Sequence, residues 1–340
     1  MASPAGACLV AVVLALTVLF LELEEGSAAA GTSGRIRSVQ ERRQVQSLLR
    51  KLNKPPLATI QMQPSYHPRG HHQDSNNVPR PLTQTWHQNG HCPENTIPIR
   101  RTREEDILRA SSIERFGKKR PRSMPLQADL AIHQYGVAFA LGDDKYYGTQ
   151  GTFNLWQPKF EKDEDFSLTQ FWIAGGSYEN NDLNTIEVGW QVYPEFYADN
   201  NTRLFIFWTR DAYETTGCYN LLCSGFVQTN NQIVIGGSIS QLSPVSIYDG
   251  PQYDLSIFSL EDSATIVEWG GEVAASTAQT TTQMGSGHFP TEGFSKASYI
   301  KDIQVVDSTN HLKVPRGVGL IAGQPNCYNV QNGSSSDWGT

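Results

Sequence analysis

The 340-residue chain carries 27 Lys and Arg against 34 Asp and Glu, a net charge of −7, with 18% charged and 10% aromatic residues. Such a composition supports a packed core over most of the chain, and the length allows two domains or one large domain with an accessory segment. The 29 Gly and 18 Pro favour many turns and argue against long helices.

The first element is a targeting segment. Cys8 to Leu23 is almost unbroken apolar sequence, and Ala28-Ala29-Ala30 follows as a small-residue cleavage site. Residues 1–30 are therefore expected to be a secretory signal peptide, which makes the product secreted, to the extracellular space, cell wall or vacuole. A signal anchor is the alternative, because no Lys or Arg precedes the apolar run. No later apolar stretch is long enough to span a bilayer, so no membrane association is expected after signal removal.

Residues 31–128 form a basic leader, with 18 Lys and Arg against 7 Asp and Glu, and residues 129–340 an acidic body, with 9 against 24. Opposite charges let the leader lie on the body, and acid weakens that attraction as carboxylates take up protons. A basic tail for nucleic acid or an anionic polymer is the other reading, and a signal peptide argues against nucleic acid. Within the leader, Val45 to Leu52 fits a short amphipathic helix. Residues 63–84, rich in Pro, His, Asn and Ser, read as linker, and His71-His72-Gln73-Asp74 within it as a solvated tract rather than a metal site. Lys118-Lys119-Arg120-Pro121-Arg122 is either a processing site or the end of the leader.

From His133 the sequence is a series of short strand-like runs: 136–141, 152–156, 169–173, 185–193, 203–209, 225–229, 233–236, 265–273 and 299–306. Strands at this spacing predict an all-β fold, an antiparallel β-sandwich of two sheets, preceded by a mostly irregular leader. Glycine patterns for dinucleotides or phosphates, HExxH and GxSxG are missing, and no cofactor is expected. After signal removal four cysteines remain, Cys92, Cys218, Cys223 and Cys327, and three pairings are open. Cys218 and Cys223 are close enough to close a small loop. No CxxC pair is present, so no metal is expected.

In the run 185–193, Ile186, Val188, Trp190 and Val192 share the core face of a strand, and Glu187, Gly189, Gln191 and Tyr193 share the other. In 267–273, Glu268, Gly270 and Glu272 lie opposite Trp269, Gly271 and Val273. Each strand thus sets a Glu two residues from a Gly on one face, and a strand Gly marks close approach of ligand or backbone. Two carboxylates on one cleft hold their protons unequally, so the pair offers an acid and a base. Solvated surface glutamates are the plain alternative.

The segments Cys92–Arg101, Ile186–Val192, Trp208–Asp211, Thr216–Cys223, Val267–Glu272 and Gln283–Phe289 resemble the plant neprosin family. The resemblance implies an activation propeptide over 31–128 that inhibits its own enzyme, a catalytic sandwich over 129–340, and an acid-active glutamic endopeptidase that cuts after proline. It places the catalytic pair on Glu187 and Glu272, with Glu292 as a rival for the second position. Gln191 or Tyr193 is expected to steady the oxyanion. Partners are then proline-containing peptides or proteins, and a monomer is expected. Two departures stand out: the family's extra segment before the second glutamate strand is missing, and the chain ends where relatives continue into a Gly-rich strand. Unpaired strand edges follow, and a catalytically inactive binding protein of the same fold is one alternative. A retaining glycoside hydrolase using the two glutamates is another. Asn200 and Asn332 begin glycosylation sequons.

Overall fold

The computed structural model describes residues 38–58, 82–119, 132–239 and 244–333. The signal segment, the His71-His72 tract and Arg120 to Arg122 lie outside the described residues. No described helix is long and apolar enough to cross a membrane.

Nine strands build one antiparallel, hydrogen-bonded sheet: β1 (Ile132–Asn154), β2 (Phe166–Gly175), β3 (Asn184–Val192), β4 (Arg203–Thr209), β5 (Cys218–Tyr219), β6 (Asp254–Ala275), β7 (Ile300–Val306), β8 (Leu312–Lys313) and β9 (Val318–Ala322). The order is β5-β4-β3-β2-β6-β1-β7-β8, with β9 also on β1. The two layers of the sandwich are continuous because β1 and β6 fold through both. Phe153 pairs with Leu255, and Phe171 pairs with Trp269, fourteen residues further along β6. A straight strand of that length spans about 46 Å. Yet the Phe153 and Phe171 rings are 4.4 Å apart, so the strands turn back on themselves. The turn falls where the β1–β6 register shifts, between Leu141 and Gly148. The core between the layers holds Trp190 and Trp269, each at most 1% exposed. Their indole N–H groups donate across the gap to the Asn154 carbonyl and the Thr149 hydroxyl. The alternation expected for 185–193 and 267–273 is realised.

Two expected strands, 225–229 and 233–236, are irregular. Gly225 has φ 137°, where a Cβ would lie 2.3 Å from the Trp208 ring, and Gly236 has φ 76°. Both conformations break a ladder and press the chain onto β4 instead. Conversely, 254–264 belongs to β6 although it had no clear strand pattern, because it borrows its register from β1. β2 covers β6 only from Ile266 to Ala274, so among the described residues the other edge of 254–264 carries no strand.

The leader contributes α1 (Val39–Leu52) and α2 (Glu104–Arg109), with short 3-10 turns at Thr85–Asn89 and Ile113–Arg115. The helix expected at Val45–Leu52 is the latter part of α1. Val45, Ile107 and Phe116 are buried together and pack on Phe196 and Leu222 of the body. Buried Gln84 exchanges hydrogen bonds with Val234, its amide donating to the Val234 carbonyl at 2.8 Å and its oxygen accepting from the Val234 N–H at 2.7 Å. Charge is therefore joined by apolar packing and amide pairing in seating the leader.

Candidate active site

The face of the sheet opposite the two tryptophans carries the acidic residues. Strand register places Glu187, Trp172 and Glu268 in one row across β3, β2 and β6. Gly189, Gln170 and Gly270 form the next row, and Gln191, Leu168 and Glu272 the one after. Glu187 and Glu272 thus lie on the two strands flanking β2, on one face, along a diagonal. In a flat sheet that diagonal is about 10 Å across and about 13 Å along the strands. Both are buried, at 0% and 2% exposure.

The row between them explains the glycines. A Cβ on Gly189 would lie 2.0 Å from the Thr169 carbonyl oxygen, and one on Gly270 2.3 Å from that of Gly136. The close approach belongs to the neighbouring strands, which removes any ligand-sized gap at these positions. Gln170 stands between the two glycines, fully buried, and its amide donates to Glu187 Oε2 at 2.8 Å. Its Oε1 has no protein partner.

Glu187 accepts three further hydrogen bonds: from the Tyr213 hydroxyl at 2.9 Å, from the Thr185 hydroxyl at 3.2 Å, and from the Lys119 ammonium. Tyr213 is held in place by its loop. It has φ 66°, its N–H donates to Thr209 Oγ1, and Asp211 ties the loop down through Thr215 and Thr216. Lys119 arrives from the leader and lies over the Phe207 and Tyr213 rings at 5.0 and 5.7 Å. Burial lowers the Lys119 pKa, but the charges of Glu187 and then Glu272 outweigh it, and the pKa stands above its ordinary value. One ammonium therefore sits in the field of both carboxylates.

Glu272 is held by the His133 imidazole Nδ1 and by the Tyr135 hydroxyl. Burial pushes its carboxyl up, but the His133 hydrogen bond and the Lys119 charge prevail and hold it below the usual value. The half-buried Glu268 goes the other way, raised by burial and then by Glu187 and Glu272. The Glu272 charge and then burial push the Tyr135 hydroxyl well above its ordinary range.

Other sequence candidates lie elsewhere. The Gln191 amide donates to the Tyr197 hydroxyl at 2.9 Å, not to either glutamate. Tyr193 lies past the end of β3, packed against Phe166, Phe196 and Tyr219. Glu292 closes a 3-10 turn at Pro290–Glu292, bonded to Tyr248 and His288 and one-third exposed. Cys218 and Cys223 form a disulfide, while Cys92 and Cys327 are free thiols. Asn200 and Asn332 are exposed. Among the described residues no three His, Cys, Asp or Glu side chains gather to hold a metal. Sequence pattern missed Gln170, Tyr213, Lys119 and His133. Tyr213 had one signal, since it stands between two of the motifs, 208–211 and 216–223.

A β-sandwich whose buried acidic face is stoppered by a lysine from its own leader defines a propeptide-bearing, peptidase-like protein. Residues 163–263 and 255–340 match the family model described as Neprosin, and residues 52–142 match that of the Neprosin activation peptide. The chain belongs to the neprosin family. The two neprosin stretches overlap at residues 255–263, inside β6.

Proposed function

We propose that the chain is a secreted glutamic endopeptidase, made as a proenzyme, which hydrolyses peptide bonds after proline in acid using Glu187 and Glu272. The observation that carries this reading is the seating of Lys119, from the activation-peptide segment, on buried Glu187 and in the field of buried Glu272 on the same sheet face. An inhibitor that fills a site with a cation implies that the carboxylates are the working groups. With Lys119 withdrawn, the space it held takes a peptide bond and a water. One carboxylate accepts a proton from the water as its oxygen attacks the carbonyl carbon. The other protonates the leaving amine, while the donors fixed nearby, Gln170 and Tyr213, are placed to steady charge on oxygen. Gln170 thus replaces Gln191 as the amide nearest the chemistry.

Residues 31–128 act as the inhibitory propeptide and 129–340 as the catalytic domain in this reading, with residues 1–30 removed on secretion. The test is acid incubation of the purified proprotein with a proline-containing peptide, alongside Glu187→Gln and Glu272→Gln. Cleavage after proline by the wild type, reduced on the order of a hundredfold or more in each variant, is the expected result. Undiminished cleavage in either variant removes that residue from the mechanism.

A further inference from the structure

We propose that His133 is a positioning residue that keeps Glu272 ionised in acid, making Glu272 the carboxylate that takes the proton from water and Glu187 the one that delivers a proton to the leaving amine. This inference rests on the two-glutamate reading and assigns the roles within it.

The geometry begins at the start of β1. His133 pairs with Ala274 and Tyr135 pairs with Glu272, so both β1 side chains fall beside the Glu272 carboxyl. The His133 ring is clamped, with Phe166 edge-on at 5.7 Å and Tyr135 stacked at 6.4 Å, and its Nδ1 meets Glu272 Oε1. Its side chain is 43% exposed, so solvent protons reach it. His133 is thus a basic side chain in direct contact with the Glu272 carboxyl.

The charged and titratable groups acting on Glu272 come from every side. Tyr135 and His133 lie on β1, Glu268 on its own strand, and Glu187 on β3. Tyr219 lies on β5 and Lys119 comes from the leader, while β2 offers only Leu168 opposite. When residues 31–128 depart, Lys119 goes with them, and His133, paired with Ala274 in the β1–β6 ladder, is the basic group that stays. Glu187 has no such reserve. Its remaining hydrogen-bond donors, Gln170, Tyr213 and Thr185, are all neutral. A basic partner in contact with Glu272 and only neutral donors left on Glu187 favour the anion at 272 and the proton at 187. The step then balances. A water proton passes to Glu272 as the C–O bond forms, and the Glu187 proton passes to nitrogen as the C–N bond breaks. Exchange of one proton with solvent at each carboxyl restores the starting state.

The experiment is the pH profile of kcat/KM for the processed enzyme with a proline-containing peptide, comparing wild type, His133→Gln and His133→Lys. Gln retains a donor without charge, and the acid limb is expected to move up by about one pH unit. Lys restores a cation, and the limb is expected to return toward the wild-type position. A uniform loss of activity with an unmoved limb shows a merely structural role and overturns the proposal, as does a Gln profile superimposed on the wild type. Secretion and circular dichroism identify any variant that fails to fold, and His133→Asn then replaces Gln in the comparison. Loss of activity in both Glu→Gln variants with an unmoved His133→Gln profile defeats this role alone. Full activity in those variants defeats the two-glutamate reading itself.

Discussion

Lys119 and Glu268 are the residues through which the acidic face declares how it is charged. Replacing Lys119 by Gln removes the ammonium from Glu187 while leaving the leader's apolar seat intact. A charged hydrogen bond contributes about 1.5–3 kcal/mol, so the uncut proprotein of Lys119→Gln should show roughly tenfold or more higher peptide cleavage near neutral pH. A continuous fluorogenic assay on secreted, unprocessed protein checks it. Glu268, whose pKa burial raises, already carries its proton in acid, so Glu268→Gln is close to an isostere there. Its acid activity should stay within a few-fold of wild type, in contrast to Gln at 187 or 272, as steady-state kinetics will show. The placement of Glu187 and Glu272 on one sheet face was legible because strand parity sets it. Gln170 was not, since a buried strand such as Phe166–Gly175 is covered on both faces and period two marks neither of them.

At the scale of elements, the rows of the sheet leave no space at Gly189. Gly189→Ala drives a methyl into the β2 backbone and should lower stability by about 3 kcal/mol, read as a drop in thermal midpoint. The sequence marked the position but not the neighbour, because cross-strand backbone proximity depends on register, which no single strand encodes. Among the described residues, one edge of 254–264 in β6 carries no strand. Its outward residues Phe258 and Leu260 are more than half exposed. Such an edge invites pairing with another chain. Phe258→Lys should slow aggregation on warming, followed by light scattering, with little change in activity. The long, doubled-back β1 and β6 were beyond sequence reading, since the pairing of Phe153 with Leu255 only has meaning once the layers have closed.

For the whole molecule, protons decide whether the leader stays. Of the causes that depress the Glu272 pKa only the Lys119 charge leaves with the leader, so closure gains from that share above the ordinary carboxylate value and loses it as pH falls through the depressed value. The raised Lys119 pKa works at the opposite end: its contribution is complete below its ordinary value and fades only in strong alkali. Acid release therefore belongs to the carboxylates. The two halves of a chain cut between 119 and 132 should co-elute on size exclusion at neutral pH and separate in acid. The charge division that the sequence displays so openly foretells this behaviour. The apolar and amide seat at Val45, Ile107 and Gln84 does not show in it, because that seat comes together only when distant segments meet. That seat has a practical corollary. If the proposed proenzyme reading holds, severing the backbone and opening the cleft are separate events: a chain nicked at neutral pH is expected to keep its leader seated, and a fall in pH alone is expected to release it.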